Sequence, residues 1–379
     1  MTLHNAASDI SLEDFLTSGQ RFHWVQEDGH QGPAVQMDYQ PISEDIGIRF
    51  GTLVEWTAKS HIVIVPLITD DGRQDRVAAK IMRTPSNILK LRNELEILRG
   101  LRHKHIIAVL GSFSRSGRKN RLEYGVLVFP LATQDLGDFL ERISKHNKDF
   151  EETRSAWIAH EDTPKLLPFF ACLCRAVLYL HGKCVKHRDI KPENILIDRA
   201  HNAILADFDI SRAYNDVKEA ITYSSLDGTI MYSSKHVWKG PDNANPKDRE
   251  RGLEWDIISL GFVFLEMATV IFGKDLRKMR ENMHYRHNHE TMVIYSEALR
   301  DGKIQEWVEV LRATATGSPE KLPDQLREVI KSVPDYVNQF LGAIMDMMSA
   351  EQDNHHPLRD AYRVFGCLSN HCPCPQPGH

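Results

Sequence analysis

The chain has 379 residues, enough for two lobes or two domains, and 42% of them are hydrophobic, which is sufficient for a sizeable buried core. Its 47 basic and 52 acidic residues give a net charge of −5, so the composition does not indicate a nucleic-acid partner. Six cysteines in a chain of this length do not indicate a secreted disulfide framework, and we expect an intracellular location, cytoplasmic with the nucleus also open.

No segment predicts a membrane span. The N-terminus lacks the basic region followed by an apolar core that is typical of a secretory signal. The most apolar stretch, residues 257–272, is shorter than a bilayer requires and contains Glu266. This stretch therefore predicts a buried core helix.

The first third of the chain predicts β-structure after a polar start. Residues 1–43 are weakly periodic and predict a weakly ordered arm. Beyond them the apolar residues alternate as in strands, at residues 52–56, 61–65, 76–81, 106–113 and 124–129. A single helix is predicted after Ser86, because Ile88, Leu91, Leu95 and Leu98 recur at helical spacing.

The remainder predicts mainly helices. Long apolar-periodic segments occupy residues 136–143 and 167–180, and a core-facing helix is predicted near residues 337–348. We therefore expect an α+β fold with two lobes, a small antiparallel sheet with one helix and a larger helical lobe. Residues 370–379 predict a flexible tail rich in Cys, His and Pro, whose spacing matches no structural zinc site, although zinc binding stays an alternative.

Two motifs carry most of the functional information. Residues 187–194 read HRDIKPEN, and residues 207–209 read DFD after a strand-turn-strand pattern. Together they resemble the signature of the eukaryotic protein kinase family, serine/threonine type. The resemblance covers residues 44–369, with an N-lobe at 44–130 and a C-lobe at 131–369, and the chain is similar in texture to kinase domains of filamentous fungi.

The resemblance implies a task for each polar residue of these motifs. Asp189 is the expected catalytic base for a substrate hydroxyl, and Lys191 places an ammonium beside the transferred phosphoryl group. Lysine at this position accompanies serine/threonine substrates in the family. Asn194 and Asp207 are the expected Mg²⁺ ligands, because amide and carboxylate oxygens suit this hard cation.

The resemblance also implies an ATP site upstream. Lys80 matches the strand lysine that contacts the ATP phosphates, and Glu94 matches its helix partner; Glu96 lies on another side of the predicted helix. Phe129 and Leu131 are expected to offer backbone groups to the adenine, with Val128 as the gatekeeper beside it. The backbone at Gly47 and Gly51 is expected to approach the phosphates.

Three departures from the family pattern keep a second function open. The glycine-rich loop lacks its middle glycine, and Asp209 replaces the third residue of the metal-binding triplet, which is glycine in the family. Residues 234–236 read SKH instead of Ala-Pro-Glu, so a glutamate that normally pairs with a buried arginine, here assigned to Arg359, is missing. The alternative to an active kinase that uses ATP and Mg²⁺ on protein substrates is a pseudokinase, an ATP-binding or scaffold module with little turnover.

We predict that phosphorylation within Thr222–Ser225 raises activity. In the family, the arginine that precedes the catalytic aspartate, here Arg188, often binds a phosphate of this segment. Mass spectrometry of the active protein is the measurement, and an active protein without modification in this segment would contradict the prediction. The sequence specifies neither the protein substrate nor the oligomeric state.

Overall fold

The structure, a computed structural model, forms two compact units. The first comprises Met1–Thr133 with Asp198–Ala200, and the second comprises Gln134–Ile197 with His201–His379. The structure describes residues 22–25, 31–35, 41–42, 53–56, 60–69, 74–82, 95, 97–98, 100–116, 122–153, 159–213, 230–233, 252–287, 290–350 and 356–368.

A β-sheet dominates the described part of the first unit. Its strands are β1 (Phe22–Val25), β2 (Gln31–Val35), β3 (Pro41–Ile42), β4 (Leu53–Trp56), β5 (Ser60–Thr69), β6 (Gln74–Met82), β7 (Ala108–Ser116) and β8 (Leu122–Phe129). The order is β2-β1-β5-β6-β8-β7-β3, with β4 paired to β5. The central pairs are antiparallel, and β3 is parallel to β7. Leu95, Ile97 and Leu98 are helical, as predicted.

Three of these strands lie in the segment that the sequence predicted as a weakly ordered arm. β1, β2 and β3 fall within residues 1–43, and β1 extends the sheet by pairing with β5. Backbone hydrogen bonding adds strands to a sheet edge even where the side-chain pattern is weak, which explains why periodicity did not reveal them. The predicted domain boundaries themselves stay a prediction.

The second unit is mainly helical. Its helices are α1 (Leu136–Thr153), α2 (Leu167–Gly182), α3 (Glu254–Ile271), α4 (Leu276–Asn282), α5 (Tyr295–Arg300), α6 (Lys303–Gly317), α7 (Asp324–Ser332), α8 (Tyr336–Met348) and α9 (His356–Gly366). Its short strands are β10 (Val185–Lys186), β12 (Ala203–Leu205), β13 (Arg212–Ala213), β14 (His284–His287) and β15 (Glu290–Val293), and β9 (Ala132–Asp135) and β11 (Ile195–Asp198) each lie partly in this unit. They form the sheets β12-β11-β9, β10-β13 and β14-β15.

An aromatic cluster lies at the centre of the helical core. Phe170 of α2 is 4.8 Å from Phe264 of α3, 5.0 Å from Phe340 of α8 and 5.0 Å from Phe365 of α9, measured between ring centroids. All four side chains are buried, and such pairs add to the free energy of area burial. The cluster therefore joins α2, α8 and α9 to α3, the predicted core helix.

The predicted fold class is confirmed, with a mainly antiparallel sheet in the first unit and a mainly helical second unit. Among the described residues, one helical segment, Thr163–Gly182, is long and apolar enough to cross a membrane by length and composition alone. The protein interior buries 72% of that segment, as in a core helix, so it is weak evidence for a span.

Close packing at Gly261 predicts a measurable loss of stability on a small substitution. A Cβ at Gly261 in α3 would lie 2.8 Å from Met348 Cγ and 3.0 Å from the Met348 backbone nitrogen in α8. We expect Gly261→Ala to lower the free energy of unfolding by roughly 1–3 kcal/mol, because overpacking outweighs the gain in helix propensity.

The matched control is Gly342→Ala in α8, where an added Cβ meets no atom within 4 Å. This change is expected to stabilise by about 0.5–1 kcal/mol, since alanine favours helix interiors. Denaturant unfolding of both variants measures the difference, and equal effects at the two glycines would contradict the packing described for α3 and α8.

Candidate active site

The loop of residues 187–194 is held at both ends by short antiparallel ladders. Before the loop, β10 pairs with β13, with Val185 opposite Ala213. After it, β11 pairs with β12, with Ile195 opposite Leu205. The interior of the loop is therefore free to take a conformation set by its side chains, while its ends stay fixed.

Inside the loop, the side chains of three predicted site residues meet. Lys191 Nζ donates a hydrogen bond to Asp189 Oδ2 at 2.8 Å, and Asn194 Nδ2 donates to the same oxygen at 2.9 Å. Asn194 Nδ2 also donates to the Asp189 backbone oxygen at 2.8 Å. The three side chains are at least partly shielded from solvent, so the Asp189 carboxylate is held in one orientation.

Asp207 is brought to the same loop by the β11–β12 ladder. The backbone N–H of Ala206 donates to the Asn194 carbonyl at 2.9 Å, which places the residue before Asp207 directly beside Asn194. Because the Asn194 amide nitrogen faces Asp189, its Oδ1 is the atom that a metal would use. An amide oxygen and a carboxylate on adjacent strand ends fit a Mg²⁺ ion.

A buried carboxylate in α3 supports the loop from beneath. Asp256 Oδ2 accepts from the backbone N–H of His187 at 2.8 Å and Oδ1 from that of Arg188 at 2.8 Å, while His181 Nε2 lies 3.1 Å from Oδ2. Burial alone would raise the pKa of Asp256, but the hydrogen bond and charge of His181 and the backbone donor lower it below its ordinary value.

His187 and Phe208 join the two motifs through their rings. The ring centroids are 4.6 Å apart in an edge-to-face arrangement, and both side chains are fully buried. His187 Nε2 lies 2.9 Å from the Ala206 carbonyl, and Ser211 Oγ donates to the His187 carbonyl at 2.9 Å. The DFD motif is thereby packed against the loop that carries Asp189.

Two residues of the site adopt left-handed backbone conformations. Arg188 has φ 74° and Asp207 has φ 63°, whereas Asp209 does not appear among the residues with positive φ in the part of the chain that the structure describes. A non-glycine residue in this region costs about 1–3 kcal/mol, and such strain concentrates at functional sites. The backbone at Asp209, where the family has glycine, therefore does not take the left-handed conformation that favours glycine.

In the first unit, Lys80 lies in the centre of the sheet. It is opposite Ile62 of β5 and Val126 of β8, and Ala78 on the same strand is opposite Val128. Directly opposed residues share a face of the sheet, so these side chains form an apolar surface that carries one half-buried amine. An apolar surface beside a cation suits the adenine ring and a phosphate group of a nucleotide.

The hinge residues follow in the chain. Phe129 ends β8 with a buried side chain, and Leu131 is half-buried. Their proposed backbone contacts with adenine stay a prediction. Glu94, Gly47 and Gly51, the phosphorylation segment at 222–225 and the SKH residues at 234–236 lie outside the described residues.

Arg359 does not have the buried environment that the family pattern predicted for it. Its side chain is exposed on α9, so it is not the buried arginine that pairs with the glutamate of Ala-Pro-Glu. Helical spacing explains the difference, because Leu358, Ala361 and Phe365 supply the buried face of α9.

Comparison with known proteins decides the family. The family described as "Protein kinase domain" matches residues 63–347, more than half of the chain and including every described motif residue above. The chain belongs to the protein kinase family. The resemblance predicted from residues 187–194 and 207–209 is confirmed, and the likeness to fungal kinase domains stays a prediction.

Several characterised kinases share part of this kinase chain. The serine/threonine-protein kinase TIO of Arabidopsis thaliana is 32% identical over 185 residues, covering 49% of the chain and 12% of the relative. NUAK family SNF1-like kinase 2 of Homo sapiens is 30% identical over 176 residues, covering 46% of the chain and 23% of the relative. The chain thus matches less than a quarter of the length of each of these two relatives. What these whole proteins do is therefore only a proposal for this chain.

The support beneath the catalytic loop predicts a pH-dependent effect of Asp256→Asn. In this variant an amide NH2 group, which donates hydrogen bonds, replaces a carboxylate oxygen that accepts them. We therefore expect a loss of roughly 1.5–3 kcal/mol in unfolding free energy at neutral pH. Because the folded-state pKa of Asp256 is lowered, the stability from its carboxylate is present above the ordinary value of 3.8 and is lost as the pH falls below it.

The difference between wild type and Asp256→Asn is therefore expected to shrink below pH 3.8. Thermal unfolding as a function of pH measures it, with Asp346→Asn on the exposed side of α8 as the control. A difference that stays constant from neutral to acidic pH would show that ionisation of Asp256 does not stabilise the loop.

Proposed function

We propose that this protein kinase transfers the γ-phosphate of ATP to serine and threonine hydroxyls of protein substrates. The observation that carries the proposal is the arrangement around Asp189, whose Oδ2 accepts hydrogen bonds from Lys191 at 2.8 Å and Asn194 at 2.9 Å. The narrower serine/threonine class rests on Lys191 and on the relatives described above.

Phosphoryl transfer requires little covalent chemistry from the protein, but it requires precise positioning of the reacting groups. The loose transition state spreads negative charge over the phosphoryl oxygens, so fixed groups that orient and neutralise lower the barrier. In the proposed reaction, Asp189 accepts a hydrogen bond from the substrate hydroxyl and takes its proton. The hydroxyl oxygen bonds to the γ-phosphorus while the bond to the departing ADP oxygen breaks, and the Lys191 ammonium stabilises the transferred group.

Asn194 Oδ1 and the Asp207 carboxylate are the groups that would hold Mg²⁺. When bound, the ion neutralises charge on the phosphate oxygens. The β11–β12 ladder keeps the two proposed Mg²⁺ ligands, Asn194 and Asp207, next to each other. The packing of Phe208 on His187 holds Asp207 against the loop that carries Asp189. Lys80, on its apolar sheet face, is the proposed partner of the ATP phosphates.

A pseudokinase is the second candidate. It is favoured by the missing middle glycine of the loop at residues 46–53 and by SKH at residues 234–236. The third departure, Asp209, favours it less, because the backbone there does not take the left-handed conformation that calls for glycine. We also propose an intracellular location and protein substrates, with no nucleic-acid partner.

Substitution of the proposed base tests the reaction directly. Purified protein with Mg²⁺ and labelled ATP is expected to phosphorylate itself or a generic basic protein. Asp189→Asn is expected to lower the rate by about 10²–10⁴-fold, because removal of a general base has effects of this size. Nucleotide binding, followed by an ATP-dependent shift in melting temperature, is expected to persist in the variant.

Asp360→Asn is the matched control, since Asp360 forms an exposed ion pair with Arg363 on α9. The control is expected to keep wild-type activity. If wild type and Asp189→Asn transfer equally little phosphate, with or without prior phosphorylation by an activating kinase, the chain is a pseudokinase and the enzymatic proposal fails.

A further inference from the structure

One buried cation takes no part in the proposed reaction. Arg175 lies in α2 and is only 7% exposed. Its Nη2 atom is sealed from solvent and has no hydrogen-bond acceptor in the part of the chain that the structure describes. Arginines are rarely buried to this extent unless an anion pairs with them, because a desolvated charge without a counterion is costly. An anion from outside the chain would supply the missing partner.

The contact that the guanidinium group does make is with an aromatic ring. Arg175 Cζ lies 5.6 Å from the ring centroid of Tyr362, which belongs to α9 and is half-buried. A second contact of the same kind lies farther along α2, where Lys183 Nζ is 5.8 Å from the ring centroid of Tyr179. A ring attracts a cation but carries no net charge. Neither contact therefore neutralises the positive charge.

The two helices bring further charge to the same surface. Helix α9 runs antiparallel to α2, because Phe170 of α2 contacts Phe365, whereas Arg175, later in α2, contacts Tyr362, earlier in α9. Arg359 is exposed and lies one turn before Tyr362, and residues at this spacing are neighbours on a helix. Arg359 thus extends the surface toward the end of α2.

We call Arg175, Tyr179, Lys183, Arg359 and Tyr362 the α2–α9 face. The first three lie four residues apart in sequence, so they share one side of α2. Among the residues that the structure describes, none provides a carboxylate within ion-pair distance of any of the three cations. The face is therefore cationic, although the whole chain has a net charge of −5.

The depth of Arg175 indicates which kind of anion fits. A flat anionic surface such as a bilayer meets exposed basic side chains, but it does not reach a guanidinium group that is more than nine-tenths buried. A protruding carboxylate can reach it, and guanidinium and carboxylate groups pair through two parallel hydrogen bonds. Tyrosine rings next to such a pair are typical of protein interfaces. The exposed Lys183 and Arg359 would attract further acidic residues.

We propose that the α2–α9 face binds an acidic segment of a partner protein, with one Asp or Glu carboxylate of that segment paired to Arg175. Arg175 is the central contact, and Lys183 and Arg359 are peripheral contacts. None of these residues belongs to the proposed active site, so the inference goes beyond the kinase function and holds for a pseudokinase as well. The energetic cost of the buried charge in the free protein is offset in the complex.

The proposal predicts that Arg175 destabilises the free protein. Arg175→Met keeps an unbranched apolar stem against the neighbouring helices and removes the charge that has no counterion. We therefore expect the melting temperature to rise by about 1–3 °C. Differential scanning calorimetry measures this shift. A lower melting temperature would show that Arg175 is an ordinary structural residue and would overturn the proposal.

A defined acidic probe tests binding directly. The probe is a fluorescently labelled peptide of alternating glutamate and glycine, and its control has glutamine in place of glutamate. Fluorescence anisotropy with the full chain is expected to show binding of the glutamate peptide alone. Arg175→Met is expected to weaken this binding about tenfold. Arg175→Lys is expected to weaken it less, since an ammonium group keeps the charge but lacks the planar fork.

Arg363→Gln is the matched control for charge. It also removes one cation from α9, but Asp360 already pairs with Arg363 at 2.7 Å. Peptide binding is expected to stay within about twofold of wild type in this variant. Lys183→Gln and Arg359→Gln are each expected to weaken it about two- to threefold, because exposed ion pairs contribute little. Equal losses in Arg175→Met and Arg363→Gln would show that binding follows net charge alone and would overturn the site.

Other sources of negative charge give different results. Displacement of the peptide by inorganic phosphate at lower concentration than by acetate would indicate a phosphate ligand and would overturn the carboxylate assignment. Binding to phosphatidylserine vesicles without binding to the glutamate peptide would likewise overturn the proposal. Phosphorylation of a generic basic protein is expected to be equal in wild type and Arg175→Met. A chain without kinase activity would leave the binding and melting experiments unchanged, so the two proposals fail separately.

Discussion

The hydrogen bonds that two consecutive backbone N–H groups donate to the Asp256 carboxylate are the constraint on which the proposed active site depends. They hold His187 and Arg188 at the start of the loop, where Arg188 has a left-handed backbone that is costly without support. Arg188 Nη1 also donates to the Ile210 carbonyl at 2.8 Å. This end of the loop is thereby fixed on the core helix α3. Farther along the loop, Lys191 and Asn194 both donate hydrogen bonds to the Asp189 carboxylate.

The same helix contacts a second segment of the helical unit. Near its beginning, Asp256 holds the loop that carries the proposed base, and farther along, Glu266 accepts a hydrogen bond from the Tyr232 hydroxyl. A helix buried along nearly its whole length is rigid because close-packed neighbours leave little room for movement. Two polar groups on one rigid element therefore keep a fixed spacing, which the proposed transfer from a nucleotide to a protein substrate would require.

Much of the site was predictable because its residues are adjacent in the chain. The HRDIKPEN and DFD motifs identified Asp189, Lys191, Asn194 and Asp207, and strand alternation predicted the sheet around Lys80. The pairing of Arg175 with Tyr362 was not predictable, since the two residues come from separate helices and each resembles an ordinary core or surface residue. Arg359 was misassigned for a related reason, because a family pattern does not state which side of a helix faces the core.

The absence of a left-handed backbone at Asp209 has a consequence for recognising such proteins. Asp207 has φ 63°, whereas the backbone at Asp209 is outside the left-handed region, so Asp209 carries a Cβ without the torsional cost of that region. A sequence pattern that requires glycine at the third position of this triplet would reject the chain. The backbone at Asp209 does not require glycine, so this rejection would have no steric basis. Classification of divergent members by backbone torsion would retain it.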